Sequence, residues 1–320
     1  AGRYRAARRP DDAVRLAEPA VAGLRKTPDH PDLPNAVVNL AILYREVGRT
    51  ADAVRLHEEA VSLALARNGP GHPDTLAARN LLGQVYADAG RTDDAIAVQR
   101  DTVAALEGKL GPDHPRTLEA VGRLVRTYAQ SGRAADALPV AAEALKRARG
   151  ARPPNTGAVL TAMQDLAMCH SALDRPADAL ALLGEVADTA AAELGPGHET
   201  TLAATHDLGV ALRQAGRPAD AVPVLERAFA AERALPEGDT LRQRTTAQLA
   251  SAYEAVGRAS DAIPLLERLL VVQRARLDPD HRDLLVTRAN LGLAYGSAGR
   301  TGDAVRAHEQ VVAAFREKFG

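Results

Sequence analysis

Five histidines recur in one register: His30, His72, His114, His198 and His281 each stand eighteen residues before a two-residue turn. Imidazole nitrogens bind metals, so evenly spaced histidines first suggest a ladder of metal ligands. Distance argues against it. Residues one repeat apart are separated by roughly 10 Å per helix layer, whereas an ion holds each ligand within about 2.1 Å. No cysteine, second histidine or paired carboxylate recurs beside them, so these histidines are expected to serve the loop they stand in. His57 and His308 lie in similar runs, Val54-Arg55-Leu56-His57-Glu58 and Val305-Arg306-Ala307-His308-Glu309, and read as packing or surface residues of a helix.

Other chemistry is equally thin. Cys169 precedes His170, but adjacent residues on a helix point to different faces, so thiol and base would not meet. As the only cysteine, it also excludes an intramolecular disulfide and a cysteine-based zinc site. The phosphate-binding Gly-x-x-x-x-Gly-Lys-Ser/Thr, the His-Glu-x-x-His and the Gly-x-Ser-x-Gly patterns are all absent. Gly195-Pro196-Gly197-His198 shares only its glycines with a phosphate loop and recurs as a linker. No enzyme activity, cofactor or metal is therefore expected. With 40 Lys+Arg against 41 Asp+Glu, the chain lacks the basic excess that nucleic-acid binding draws on. No apolar run approaches the roughly 18–20 residues that span a bilayer, so no membrane insertion and a cytoplasmic location are expected.

The elements that carry these residues repeat. Seven turns, Gly48-Arg49, Gly90-Arg91, Gly132-Arg133, Asp174-Arg175, Gly216-Arg217, Gly257-Arg258 and Gly299-Arg300, follow at 42 residues with one slip to 41. Four residues after each turn begins comes an Asp-Ala pair, from Asp52-Ala53 to Asp303-Ala304. A fixed period in this range signals one supersecondary unit stacked on itself. Between Asp74 and Gly111 the apolar residues Leu76, Ala78, Leu82, Val85, Tyr86 and Ala89 predict one helix, and Ala95, Val98, Thr102, Leu106 and Leu110 a second. Gly90 supplies the left-handed conformation that ends the first, and Thr92 is placed to cap the second. Eight residues before each turn stands a leucine (Leu40, Leu82, Leu124, Leu166, Leu208, Leu249, Leu291), followed mostly by a small residue. Four before the turn comes Tyr44, Tyr86, Tyr128, His170, Leu212, Tyr253 or Tyr295. This is a packing code for a helix hairpin, whose small residues mark the closest approach. With no strand signal, the fold class is all-α.

Leu82-Gly83-x-x-Tyr86 followed by Ala95 resembles the tetratricopeptide repeat. The 42-residue length and the loops Gly69-Pro70-Gly71-His72-Pro73 and Gly111-Pro112-Asp113-His114-Pro115 resemble more narrowly the kinesin light chain subtype. The resemblance covers essentially the whole chain. It implies a right-handed superhelical solenoid of antiparallel helix pairs: a single array over residues 1–320 of about eight units, the first incomplete. Arg149–Gly157 and Ala234–Thr240 depart from it by lacking His-Pro, and the family's Trp is absent throughout.

In such arrays the first helices line a concave groove. Carried over by position, the resemblance implies ligand contacts from Asn39, Arg45, Asn80, Gln84, Arg123, Arg126, Gln164, Asp165, His206, Asp207, Arg213, Gln248, Glu254 and Asn290. Asn, Gln and Arg can bond peptide amides and carbonyls, which suits an extended segment. Arg123 and Arg126, three apart on one helix, are expected to present a doubled positive spot to a carboxylate. The carboxylate clamp of chaperone-binding relatives is not reproduced: where it wants Lys, Asn, Asn, Lys and Arg, the chain offers Asn80, Gln84, Arg123, Thr161 and Asp165.

Tyr4 and Ala13 keep the separation of Tyr44 and Ala53, and Lys318-Phe319-Gly320 parallels Lys109-Leu110-Gly111, so both ends are expected to be cut inside the pattern of a longer protein. The function implied is a protein–protein interaction scaffold that binds a peptide or partner protein in the groove. The alternative is the sensor or ligand-recognition arm of a larger bacterial signalling ATPase or transcriptional regulator.

Overall fold

The structure, a computed structural model, describes residues 10–27 and 30–319. The expected Tyr4 half-helix lies outside them. The chain divides into two compact units, Ala1–Arg175 and Pro176–Gly320. The first holds α1 (Pro10–Leu24), α2 (Leu33–Glu46), α3 (Thr50–Asn68), α4 (Pro73–Asp88), α5 (Thr92–Leu110), α6 (Pro115–Gln130), α7 (Ala134–Gly150) and α8 (Thr156–Ala172). The second holds α9 (Pro176–Leu194), α10 (Glu199–Gln214), α11 (Pro218–Ala231) with a short 3-10 turn Glu232–Ala234, α12 (Thr240–Ala255), α13 (Ala259–Arg274), α14 (Arg282–Ser297) and α15 (Thr301–Phe319). Among the described residues there is no strand, and no helix is long and apolar enough to cross a membrane. Within each unit every helix packs on its sequence neighbour, and α6 also reaches α8, as α10 reaches α12.

The packing code holds. The alanines of the Asp-Ala pairs are all buried, Ala53, Ala95, Ala137, Ala221 and Ala262 completely. The small residue after the packing leucine meets a larger one on the second helix. A Cβ added at Gly209 would lie 2.5 Å from Leu225, and one at Gly292 would lie 2.7 Å from His308. In the first unit one core gathers residues of α1 to α5 and another those of α5 to α8; in the second, a core runs from α10 to α14.

Each turn is a Schellman motif. Gly48, Gly90, Gly132, Gly216, Gly257 and Gly299 take φ between 71° and 76°, and Asp174 reaches φ 55° in the same place. Aspartate tolerates that left-handed region better than most side chains do. The following arginine N–H then bonds the carbonyl five residues back, as Arg49 does to Tyr44 at 2.8 Å. Thr92 is the first helical residue of α5; Arg91 holds the cap position, and its side chain makes no cap bond. The repeated aspartate therefore does more than suit a helix dipole. It grips the turn arginine: Arg49 to Asp52 at 2.7 Å, Arg91 to Asp94 at 2.6 Å, Arg258 to Asp261 at 2.7 Å.

That arginine also lies over the tyrosine ring, 4.0 Å away for Arg49 on Tyr44 and 4.3 Å for Arg300 on Tyr295. The tyrosine hydroxyl donates to a glutamate of the preceding second helix: Tyr44 to Glu18 (2.8 Å), Tyr86 to Glu58 (2.7 Å), Tyr253 to Glu226 (2.7 Å) and Tyr295 to Glu267 (2.6 Å). Burial, then the glutamate bond, push the Tyr86, Tyr253 and Tyr295 phenols up to about 12, so they remain donors. Where the glutamate would serve Tyr128, Arg100 stands instead, and Arg133 turns to Asp93 at 2.8 Å.

Four of the five loop histidines are helix caps. In His72, His114, His198 and His281, Nδ1 accepts from the backbone N–H two residues on at 3.2 Å, satisfying one orphan donor of the next helix. His30 accepts from the N–H of Asp32 at the same distance, but there Asp32 holds the cap position of α2, so His30 braces the loop and does not cap the helix. The two loops without a histidine at this position recruit other caps: Asn155 accepts from Ala158, and Asp239 from Leu241 and Arg242.

Candidate functional site

The first helices of the pairs, α2, α4, α6 and α8 in one unit and α10, α12 and α14 in the other, carry the polar positions expected to meet a ligand. Leu40, Leu82, Leu124, Leu249 and Leu291 of the packing register are buried, while Leu166 and Leu208 are half-buried. The polar positions are laced from helix to helix. Arg45 of α2 bonds Asp88 of α4 (2.5 Å), and Arg126 of α6 bonds Asp165 of α8 (2.7 Å). Arg213 of α10 donates to Gln248 of α12 (3.0 Å), and Ser297 of α14 to Glu254 of α12 (3.2 Å). Asn39 and Gln84 are exposed, while Asn80, Gln164, Asp207 and Asn290 are half-buried.

Two expectations need correction. His206 is not on an open face: it is 1 % exposed, with Nδ1 2.8 Å from the Thr245 hydroxyl. Nor do Arg123 and Arg126 form a doubled positive spot. Arg123 bonds Glu119 at 2.6 Å and Arg126 bonds Asp165, so each charge is met locally.

A cavity of about 190 Å³ opens where α6, α7 and α8 meet. Its walls are Pro115, Leu118, Val125, Ala141, Ala144, Ala158 and Ala162, with Glu119, Asn155, Thr161 and Asp165 as polar lining. Gly122 makes the space, since a Cβ there would come within 2.5 Å of Asp165 Oδ2. Asp165 is 6 % exposed, and burial raises its pKa despite the Arg126 guanidinium, which holds Oδ1.

The second unit fills the corresponding register. His206 stands two residues before its packing leucine, as Gly122 does. The Thr245 hydroxyl also reaches Glu232 Oε1 at 2.8 Å, so a buried chain runs Glu232, Thr245, His206. Glu232 is fully buried where the corresponding buried residues of other second helices are Ala64, Leu106, Ala148, Ala190 and Gln273. Burial pushes its carboxyl up to about 7, and it pushes the His206 imidazole down to about 4. His57 is likewise driven to about 4 by burial. Cys169 is fully buried, and burial lifts its thiol to about 11, which suits a core residue and not a nucleophile. Among the described residues no group of three or more His, Cys, Asp and Glu is placed to hold a metal ion.

Sequence reasoning missed Gly122, Glu119, Asn155 and Thr161 at the cavity, and Glu232 in the buried chain. A glycine two residues ahead of a packing leucine, where the other repeats carry Val38, Asn80, Gln164, His206, Ala247 and Ala289, was the available signal.

Five stretches, residues 1–66, 36–108, 74–150, 158–234 and 242–317, match the sequence pattern of the tetratricopeptide repeat. Among solved structures, the nearly identical TPR-like repeats of a Podosopora anserina protein assigned as a kinesin light chain align over 64% of this chain and 98% of theirs, at 28% identity and a TM-score of 0.58. BtubC (BKLC) from P. vanneervenii aligns over 73% of this chain and 91% of its own, at 18% identity and a TM-score of 0.60. A Signal Transduction ATPase with Numerous Domains from Pyrococcus horikoshii, which has a tetratricopeptide repeat sensor, aligns over 90% of this chain and 43% of its own, at 13% identity and a TM-score of 0.63. The latter two likenesses show the fold alone. No curated protein sequence matches the chain.

Proposed function

Because the chain belongs to the tetratricopeptide repeat family, with units of the kinesin light chain type, we propose that it is a non-catalytic interaction module whose first-helix face receives an extended peptide or a partner's surface. Tetratricopeptide repeats generally act as scaffolds, which supports an interaction or sensor role. The observation that carries the finer reading is the laced polar row. Arg45 and Arg126 in the first unit, and Arg213 and Glu254 in the second, are spent on neighbouring helices and hold the first-helix face of their own unit in shape. Amide side chains such as Asn39, Gln84 and Asn290 complement them with both donors and acceptors, the pairing a peptide backbone requires. A cytoplasmic protein partner, with neither nucleic acid nor membrane, belongs to the same proposal.

The test is selection of peptides from a display library on the full chain, followed by affinity measurements on variants. Asn39→Ala with Gln84→Ala should weaken a selected peptide about tenfold, and Arg100→Ala on the exposed side of α5 should not. Equal effects would place the binding face elsewhere.

A second reading is a sensor arm within a larger signalling protein. It is favoured by the likeness to the Pyrococcus horikoshii protein, whose sensor shares this fold while over half of its chain lies outside the match. A nucleotide-binding module encoded beside these repeats would support it; a coding sequence that holds only repeats would sink it.

A further inference from the structure

The cavity between α6, α7 and α8 has a polar lining with one electrical sign. Asp165 and Glu119 contribute carboxylates, Asn155 an amide and Thr161 a hydroxyl, and no basic side chain lines it. Arg123 and Arg126 meet these carboxylates from outside the lining. The amide oxygen of Asn155 is already used in capping α8. What remains open is Asp165 Oδ2. Its side chain is more than nine-tenths buried, Oδ1 takes the Arg126 bond, and Oδ2 accepts no hydrogen bond among the described residues. Oδ2 faces the cavity, where water is its only partner, so a bound donor can take its place there without breaking a bond within the protein.

We propose that this cavity is a subsite for a primary ammonium on an aliphatic stem, namely a lysine side chain of the bound peptide. The stem would lie against Leu118 and Val125, and the ammonium would donate to Asp165 Oδ2 while keeping water at the mouth beside Glu119. A cavity of about 150 Å³ holds a benzene-sized guest, so one of about 190 Å³ admits a butyl stem with its head group. Lysine fits better than arginine because only one carboxylate oxygen is vacant. The guanidinium fork gains from two parallel bonds, and Arg126 already occupies the first oxygen. The lysine rests on the reading of the first-helix face as a peptide site; the ammonium preference does not.

The experiment uses the full chain and small probes: pentylammonium, pentylguanidinium and the neutral 1-pentanol. Their binding is followed through the methyl resonances of Leu118 and Val125. Pentylammonium should saturate at a concentration at least about fivefold lower than either of the others. Asp165→Asn should weaken pentylammonium about tenfold and level it with 1-pentanol. Ala158→Phe, which fills the cavity and leaves both carboxylates, should abolish all three. Equal binding of 1-pentanol and pentylammonium to the native chain overturns the proposal, as does pentylammonium binding that survives Ala158→Phe. Library peptides that bind the chain with no lysine preference, and with no response to Asp165→Asn, overturn the lysine subsite while leaving the peptide face standing. Pentylammonium bound at Leu118 and Val125 in a chain that takes no peptide supports the ammonium site and overturns the peptide face instead.

Discussion

At one register of the first helix, two residues ahead of the packing leucine, α6 carries Gly122 and α10 carries His206. The first leaves a cavity edged by Asp165; the second occupies the space and joins Thr245 and Glu232 in a buried chain. Ala162, a wall of the cavity, holds the position on α8 that Thr245 holds on α12. The repeat frame therefore accepts either an empty or a filled site at this position. What stabilises the frame is elsewhere: the buried alanines, the capping histidines and the Schellman turns. Positions indifferent to the frame are free to vary, left open in one unit and packed in the other.

The comparison breaks if the two sites are interchangeable in energy. His206→Gly imposes the first unit's residue on the second, empties a buried site and strips Thr245 of its bond to the imidazole, so it should cost about 2–4 kcal/mol in chemical denaturation. A loss no greater than that of a surface substitution would mean that His206 does not fill its site.

Glu232→Gln sharpens the comparison through pH. Burial lifts the Glu232 carboxyl to about 7, so the fold keeps a proton that the unfolded chain has released above about 4.5, and stability falls as pH rises toward 7. Thr245 bonds this carboxyl, while Arg242 lowers and Asp239 raises its pKa. His206 and His57 act oppositely: held near 4, they favour the fold above about 6.5 and withdraw that support as pH falls to 4. Between about 4.5 and 6.5 the slopes oppose each other; above 7 only the glutamate's cost remains. Glu232→Gln should therefore stabilise the chain by about 1–3 kcal/mol at pH 8 and much less at pH 5. Equal shifts of the melting temperature at both pH values would show a solvated carboxyl.

Ala137→Leu tests the shared frame against both sites. The completely buried Ala137 leaves no room for three more carbons, and the overpacking should cost about 1–3 kcal/mol. An unchanged melting temperature would contradict the hairpin code. The smallest effect is expected from Gly122→Ala, whose methyl must push the Asp165 carboxylate away from Arg126. A loss of about 1 kcal/mol, with the cavity reduced, is expected. A gain in stability would mean that the cavity is slack and not shaped.

The frame was legible because its residues recur for physical reasons. Gly90 must take a positive φ, Ala95 must let two helices touch, and His72 must cap a helix, so each reappears in register. The candidate site was legible only as a set of positions. The i,i+4 spacing of Glu119 and Arg123 already offers that pair in the sequence, but nothing in the run says that Asp165 will meet Arg126, because that partner is fixed by the approach of two helices. Glu232 was invisible for a related reason. A glutamate near a helix end reads as a solvated charge, and only the placement of Thr245 on the next helix shows that it is buried.

The turn arginines have one more consequence. Each of Arg49, Arg91, Arg258 and Arg300 stands on a tyrosine between two carboxylates, so each cation is cancelled within a few ångströms. With a net charge of −1, a protein built this way projects little field past one Debye length, about 8 Å at physiological salt. A partner then arrives unguided. Its association rate should sit near the unsteered range of about 10⁵–10⁶ M⁻¹ s⁻¹ and vary little with salt, which leaves the choice of partner to how long it stays.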